Sequence, residues 1–408
     1  MSRKAKYYAE STGSPARRRR RKRRREEEKE RKIPSWVYRV AVVLIVAVAG
    51  LVLWVNRDGL TPENMVNWVQ ERVVGLGIGD GYPVPITGSQ VMARNFISEN
   101  GEITMVSDTH LTTLNSTGKE LCSRQHSFSF PVLRLAGGRS LVYNLGGKGY
   151  QIETRTKTIL RGDADGNILG GAVASNGHYA LLTENTDYLG RLTVYTETNE
   201  KQYEYSFSSC YPAAAALSTD GSQALVCGVY AEGGAFASSL YLIDLNSSQT
   251  VEPAASFPET TPVDAFWYGD GSAAAVGDKL TAVVTPSGSV VQYGYGGWLL
   301  NSYAGADGIT AIGLSPYSNA ASGKLVLLDS SGSEKRSIPL SGEPDAVSLS
   351  GNTVAVLVDG IVYAYSIADG VLFAQAEAGE DAVSIALANE SSVYILGVSE
   401  IRTASLNG

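Results

Sequence analysis

Apolar side chains dominate residues 36–55, a stretch of 20 residues whose only charge is Arg39. As a helix, this stretch would rise about 30 Å, the thickness of a bilayer's hydrocarbon core. Trp36, Tyr38 and Trp54 lie near its ends, where aromatic rings favour the lipid headgroups. The long side chain of Arg39 can reach the nearer interface. The pattern therefore predicts one transmembrane helix over residues 36–55.

Two alternatives for this segment stay open. A cleaved signal peptide needs a small-residue site, and Ala47-Val48-Ala49 has that form. Cleavage there, however, leaves a short apolar core behind an unusually long leader. A buried core helix would not normally be rich in Val and Leu on every face with 15 Lys and Arg upstream. The membrane anchor is the interpretation that fits all features.

From about residue 90 onward, short apolar runs alternate with tight turns. The turns recur every 37 to 50 residues, at Asn100-Gly101, Gly137-Gly138, Asn176-Gly177, Asp220-Gly221, Asp270-Gly271, Asp307-Gly308, Gly351-Asn352 and Asn389-Glu390. Most of these dipeptides tolerate the positive φ of a two-residue hairpin turn. Apolar runs flank each turn, a third run follows, and a polar turn leads to a variable fourth. Four short strands per unit of about 40 residues predict an all-β, eight-bladed β-propeller, with seven blades as the alternative.

The last copy of the repeat ends after its third strand. Residues 82–87, with the sequence YPVPIT, precede the first copy and can supply the missing outer strand. Two prolines suit an outermost strand, because one of its edges has no partner. We therefore expect residues 82–87 to close the ring.

The charges divide the chain into two opposite parts. The net charge is −7, but residues 1–32 contain 15 Lys and Arg against 5 Glu. That leaves 19 of the 34 basic and 36 of the 41 acidic residues for the rest of the chain. Basic residues beside a membrane helix stay on the cytoplasmic side. The split predicts a single-pass plasma-membrane protein with its N-terminus inside and its C-terminal domain outside the cell.

Four regions follow from these patterns: a basic cytoplasmic tail (1–35), the membrane helix (36–55), an amphipathic helix with a glycine-rich linker (56–81) and the propeller (82–408). The basic run between Arg17 and Arg25 can attract anionic lipid or can serve only as a topology signal. Aromatic residues do not interleave with its charges, so we expect no nucleic-acid partner.

The segments around the repeats resemble a known family. The sequence LTPENMVNWV at 60–69, the linker GDGYPV at 79–84 and FPVLRLAGGRSLVYNLGGKGYQI at 130–152 carry the likeness. They are similar to an uncharacterised family of membrane-anchored propellers from Clostridia and relatives, known only as a domain of unknown function. That family falls within the WD-repeat and quinoprotein-like group. The resemblance implies a Gram-positive host and a surface location, and it implies no activity.

The usual signatures of catalysis and metal binding are absent from the sequence. The three histidines and three cysteines show no zinc-ligand spacing, and the cysteines are too few for a disulfide framework. The stretch from Asp163 begins like a calcium loop, but Ile168 and Ala174 occupy positions that need Gly and Glu. We expect buried free thiols, no metal and no cofactor.

Long connections are the better guide to function. Segments 184–191, 230–239 and 316–323 join second to third strands, and in a propeller such connections share one face with the blade-to-blade connections. The candidate binding residues on that face are Tyr188, Tyr230, Phe236, Tyr317, Asp163 and Asp165. Aromatic rings among Gly, Ser and Asn suit contact with a protein or glycan, although long loops can also vary without a function.

The sequence thus predicts a non-catalytic surface binding or scaffolding propeller, with an extracellular protein or cell-wall glycan as the ligand. The alternative is an enzyme that acts on wall or extracellular polysaccharide through loop carboxylates such as Asp163 and Asp165.

Overall fold

The computed structural model describes Leu44 and residues 77–406. The predicted tail, membrane helix and amphipathic helix fall, apart from Leu44 and the end of the linker, outside the described residues. Between residues 77 and 406 the chain forms strands and turns and no helix. In this described part of the chain, no helix is long and apolar enough to cross a membrane.

The described residues form eight four-stranded antiparallel sheets. From the centre outward, blade 1 contains β2 (Val91–Glu99), β3 (Glu102–Ser107), β4 (His110–Leu114) and β5 (Glu120–Gln125); blade 2, β6 (Pro131–Ala136), β7 (Arg139–Asn144), β8 (Gly149–Thr154) and β9 (Thr158–Asp163); blade 3, β10 (Ile168–Val173), β11 (Tyr179–Thr183), β12 (Gly190–Tyr195) and β13 (Lys201–Phe207); and blade 4, β14 (Tyr211–Leu217), β15 (Gln223–Glu232), β16 (Ala235–Asp244) and β17 (Ala255–Pro258).

The second half of the ring repeats this order. Blade 5 contains β18 (Pro262–Trp267), β19 (Ala273–Gly277), β20 (Leu280–Val284) and β21 (Val290–Gly294); blade 6, β22 (Leu299–Ala306), β23 (Ile309–Ser315), β24 (Gly323–Leu328) and β25 (Glu334–Leu340); blade 7, β26 (Ala346–Ser350), β27 (Thr353–Val358), β28 (Ile361–Ser366) and β29 (Leu372–Glu377); and blade 8, β30 (Ser384–Asn389), β31 (Ser392–Leu396), β32 (Glu400–Ser405) and β1 (Val84–Pro85). The predicted eight-bladed propeller is confirmed.

Each blade is buried on both faces, which explains its nearly continuous apolar runs. Successive side chains of a strand point to opposite faces. In β27, Val354, Val356 and Val358 pack against blade 6, whereas Ala355 and Leu357 pack against blade 8. A polar residue at any of these positions would have to find a partner between two sheets.

One apolar cluster lies between every pair of neighbouring blades, and together the eight clusters close the ring. The cluster between blades 1 and 2 is the smallest, with Val106, Leu111, Leu133 and Val142 as its buried members. The same interface holds a small cavity of about 60 Å³ lined partly by Glu153 and Cys122. The ring is therefore least apolar at this interface.

The N-terminal strand β1 completes blade 8, as the repeat pattern predicts. Its Val84 pairs with Ile401 and its Pro85 with Glu400, and the Ile86 amide donates to the Ser399 carbonyl at 2.9 Å. Tyr82, Val84 and Ile86 alternate with the prolines and pack against the cluster between blades 8 and 1. The prolines need no amide donor on an outermost strand. Both ends of the described chain thus meet in one sheet.

The strand order gives the propeller two different faces. The turn face carries the first-to-second and third-to-fourth connections. All eight predicted turn dipeptides lie there, but the connections that contain Asn176-Gly177, Asp220-Gly221 and Asp270-Gly271 have five residues instead of two. At Asn100-Gly101, for example, φ is 54° and 76°, in the left-handed region that these residues tolerate. The loop face carries the second-to-third and blade-to-blade connections.

All three cysteines are buried and free, as expected.

Candidate functional site

Exposed large apolar side chains gather on the loop face. They lie in its connections or in the adjoining ends of strands, at Phe130, Tyr188, Tyr211, Phe236, Val263, Leu299, Tyr317, Val383 and Val398. Among the described residues, the turn face exposes fewer of them: Ile78, beside the β4–β5 turn, and Val371, which Leu372 and Phe373 follow in β29. An exposed apolar set on one side of a domain is typical of an interaction surface.

Hydrogen bonds hold the loop that presents Tyr188. The Asn185 side-chain oxygen accepts bonds from the amides of Asp187 at 2.8 Å and Tyr188 at 3.2 Å. Such a turn around an Asn side chain fixes the backbone locally. At the base of the loop, the Leu189 amide donates to the Phe207 carbonyl. Tyr188 is 49% exposed on this fixed backbone.

A second network fixes the loop that presents Tyr317. The Ser315 hydroxyl donates to the Tyr317 carbonyl at 3.0 Å, and also lies 2.8 Å from the Asn301 side-chain oxygen. The Glu343 carboxylate accepts bonds from the Asn301 amide group and from the Asn319 backbone amide. Tyr317 is 60% exposed although Glu343 ties its loop to the connection between blades 6 and 7.

Segment 230–239 is not a loop, contrary to the sequence prediction. Strands β15 and β16 continue through it as a hairpin that ends in a two-residue turn, Gly233-Gly234. Phe236 is 66% exposed on this hairpin, whereas Tyr230 is half-buried against the core between blades 3 and 4. Tyr230 is therefore mainly a packing residue, and Phe236 is the exposed one.

Asp163 and Asp165 lie where predicted, at the loop-face end of blade 2. Both are exposed, and Asp165 has 94% of its side chain in solvent. Arg191 approaches Asp165 at 3.6 Å, and the Lys148 ammonium donates to the Asp165 carbonyl at 3.1 Å. Among the described residues, no group of three His, Cys, Asp or Glu could hold a metal ion. The two carboxylates form an open surface and no enclosed cleft.

An ion pair crosses the central channel, and the sequence analysis missed it. The Arg134 guanidinium of blade 2 donates two hydrogen bonds to the Asp264 carboxylate of blade 5, at 2.8 and 3.1 Å. Its third nitrogen donates to the Gly171 carbonyl of blade 3, and the Tyr303 hydroxyl of blade 6 donates to Asp264 at 3.4 Å. Blades 2 and 5 are not neighbours, so these side chains can meet only across the channel.

The charges of this pair are mutually stabilised in a confined space. Burial disfavours the charged form of Arg134, but the charge and hydrogen bonds of Asp264 together with Tyr143 and Tyr303 outweigh burial and raise the pKa of the guanidinium. Burial also raises the pKa of the Tyr303 hydroxyl, which therefore stays a donor. A charged residue inside an apolar strand, such as Arg134 in VLRLA, was the available signal. The identity of its partner was not visible in the sequence.

Comparisons with known proteins agree on the fold. Among solved structures, Sqt1 from Saccharomyces cerevisiae has a TM-score of 0.55 at 11% identity, covering 81% of this chain and 100% of that one. The apo form of AztD from Citrobacter koseri has a TM-score of 0.53 at 11% identity, covering 78% and 90%. No curated protein matches the sequence. Residues 85–406 match the family of unknown function DUF5711. The 11% identity to Sqt1 and AztD establishes the fold alone.

Proposed function

We propose that this chain, which belongs to the family of unknown function DUF5711, is a non-catalytic binding or scaffolding module on the cell surface. Its loop face binds an extracellular protein or a cell-wall glycan, and its N-terminal helix anchors it in the plasma membrane. The observation that carries the proposal is the concentration of exposed apolar side chains on the loop face.

The fixed loops make these side chains suitable for binding. A partner that contacts Tyr188 or Tyr317 has little loop entropy to remove, because hydrogen bonds already hold both backbones. An aromatic side chain can bury about 150 Å² or more on contact. At about 25 cal/mol per Å², each ring contributes a few kcal/mol before ordering costs. Three such rings can therefore sustain a specific complex.

The attachment point of the preceding chain supports the same surface. The Gly79 amide donates to the Thr117 hydroxyl and the Gly81 amide to the Thr117 carbonyl, in the turn between β4 and β5. That turn belongs to the turn face. Residues 77–81 therefore lie at the opposite end of the strands from the loop face.

The surface location rests on the charge division and on the apolar segment 36–55. A Gram-positive host of the Clostridia type is part of the same proposal, from the family resemblance. The polysaccharide-degrading alternative draws no support from Asp163 and Asp165, because both side chains are exposed and no cleft surrounds them. Turnover of muropeptides or polysaccharides by the full chain would revive that alternative.

Site-directed photo-crosslinking in intact cells tests the proposal. A photoreactive amino acid replaces Tyr188, Phe236 or Tyr317 in the full chain, and Val371 receives the same amino acid as the matched control. Val371 is 57% exposed, comparable to the others, but lies on the turn face. We expect the same adduct from the three loop-face positions and none from Val371. Digestion by protease or by muramidase then identifies a protein or a wall glycan. Adducts from Val371 alone would contradict the proposal.

A further inference from the structure

The innermost strand of blade 1 carries an irregularity at its loop-face end. Val91 pairs with Ser107 and Phe96 with Met105, so the four residues 92–95 lie opposite Val106 alone. A bulge of this kind redirects side chains and is common beside functional sites. Because β2 borders the channel, the bulge occupies the channel wall.

Both ends of the bulge are held by neighbouring blades. The Ser384 hydroxyl of blade 8 donates to the Ala93 carbonyl at 3.4 Å. The Asn95 side chain donates to the Pro131 carbonyl at 2.8 Å and accepts from the Leu133 amide at 3.0 Å, both in blade 2. The backbone around Arg94 is thus fixed from two sides.

Arg94 itself is exposed, and among the described residues its guanidinium has no hydrogen-bond or ion-pair partner. Its position along the strands matches that of Asp264. Asp264 pairs with Val276, the next-to-last residue of β19, and the bulge that carries Arg94 lies opposite Val106, the next-to-last residue of β3. Burial raises the pKa of the Tyr143 and Tyr303 hydroxyls, and the positive charge of Arg94 is close enough to oppose that rise at both. Arg94 therefore faces the same channel as the ion pair.

Of the three charged side chains Arg94, Arg134 and Asp264, one positive charge is left without a counter-charge. Arg134 and Asp264 neutralise each other through two hydrogen bonds. Arg94 remains, and a guanidinium matches the planar geometry of a carboxylate. A carboxylate carries one negative charge, whereas a phosphate carries up to two at neutral pH and would leave an excess beside Asp264. Met92 and Val263 are 46% and 42% exposed at the same end of the innermost strands, on opposite sides of the ring.

We propose that the loop-face mouth of the channel is a binding site for a carboxylate group, held by the Arg94 guanidinium over the Arg134–Asp264 pair. Met92 and Val263 contact the apolar part of the same ligand. The ion pair forms the floor of the site and stops the ligand from passing through the channel. The carboxylate belongs either to a small organic acid or to the C-terminus of a peptide.

Calorimetric titration of the purified full chain tests this site. The probes are butyrate, its uncharged analogue butyramide, inorganic phosphate, and the peptide acetyl-Ala-Ala-Val with a free or an amidated C-terminus. The chain is titrated as the wild type, Arg94→Gln, Arg94→Lys and the matched control Arg161→Gln. Arg161 is exposed on the outer strand β9, where it donates to the Gln125 carbonyl away from the channel.

We expect butyrate or the free-acid peptide to bind at least tenfold more tightly than its amide. Arg94→Gln should remove that preference, Arg94→Lys should keep part of it, and Arg161→Gln should keep all of it. Binding of butyrate alone assigns a small acid, and binding of the peptide alone assigns a protein terminus. Unchanged binding to Arg94→Gln, no preference for either acid over its amide, or tighter binding of phosphate would each overturn the proposal. Because the crosslinking positions lie in two loops and in the β15–β16 hairpin, failure of either proposal leaves the other standing.

Discussion

Arg134 and Asp264 join blades that are three apart, so their interaction constrains the diameter of the ring. A bidentate pair of this kind is strongly coupled, because each charge is costly to leave alone in a confined site. Arg134 keeps about a quarter of its side chain in contact with solvent, whereas Asp264 is almost fully buried. The carboxylate therefore depends on the pair more than the guanidinium does.

Removal of one partner should cost more than removal of both. We predict that Arg134→Met lowers the free energy of unfolding by about 3 kcal/mol, because it leaves the Asp264 charge buried without its partner. Arg134→Met combined with Asp264→Leu should recover much of that loss. Chemical denaturation of the single and double variants measures both. Additive losses in the double variant would show that the two residues are not coupled.

Glu153, between blades 1 and 2, is a buried carboxyl whose charged form is destabilised by burial. It is 1% exposed, and its nearest cation, Arg124, lies 3.5 Å away. Burial raises the pKa of Glu153 despite the bond from the Thr158 hydroxyl and the nearby charge. A carboxyl with a raised pKa binds its proton more tightly in the folded state. Its ionisation therefore lowers stability as pH rises through the ordinary carboxyl range, and the loss persists above the folded-state pKa.

Glu153→Gln should consequently stabilise the protein at pH 7. The neutral amide has nearly the same shape and avoids the buried charge, so we predict a gain of about 1 kcal/mol, a typical size for one substitution. The gain should shrink to a small fraction near pH 4, where the carboxyl is mostly protonated in both states. Thermal unfolding of both proteins across this pH range gives the comparison. A gain of the same size at pH 4 would mean that charge is not the cause.

At the level of single elements, β1 decides whether the ring is closed. It pairs through two residues only, but Tyr82, Val84 and Ile86 also fill the interface between blades 8 and 1. Deletion of residues 82–87 should lower the melting temperature by several degrees or more, since it exposes the edge of β32 and part of that cluster. Ile78→Ser is the control, because Ile78 is 90% exposed. Equal melting temperatures for the deletion and the control would argue against closure by β1.

Because segment 230–239 is a hairpin of β15 and β16 and not the predicted loop, a point substitution tests it better than a deletion. Removal of residues 230–239 would strip the pairing of β17 with Ala237–Ser239 and the packing of Tyr230. Phe236→Ser instead changes one exposed side chain. We predict at least tenfold weaker partner binding with an unchanged melting temperature, measured with the partner that crosslinking identifies. Weakened folding without weakened binding would place Phe236 among the structural residues.

The elements were predictable where local chemistry determines them. Asn-Gly and Asp-Gly pairs specify hairpin turns, and the alternation of Tyr82, Val84 and Ile86 with proline marks an edge strand, so both were read correctly. The hairpin was misread because its Gly, Ala and Ser composition is typical of loops, whereas pairing between strands determines the outcome. The channel pair was missed because Arg134 and Asp264 are 130 residues apart and meet only through the closed ring.

At the scale of the whole molecule, the topology is open to a direct chemical test. The natural cysteines are buried, with Cys122, Cys210 and Cys227 at most 4% exposed, so the folded wild type should react little with maleimides. We predict that Val371→Cys reacts with a membrane-impermeant maleimide in intact cells, whereas Ser11→Cys reacts only after lysis. The opposite pattern would place the propeller inside the cell.

The shared role of β1 has a mechanical consequence. The strand that closes the ring is also the first strand after the predicted anchor, and it has two residues. If a partner holds the loop face and the membrane holds the N-terminal segment, tension passes first through the bonds of Gly79 and Gly81 to Thr117 and then through β1. The pull runs along the strand and loads its pairs with Ile401 and Glu400 in shear. If the proposed anchor and partner both hold, a sufficient force would remove the outer strand of blade 8, and the propeller would act as a load-sensitive link between the cell and its ligand.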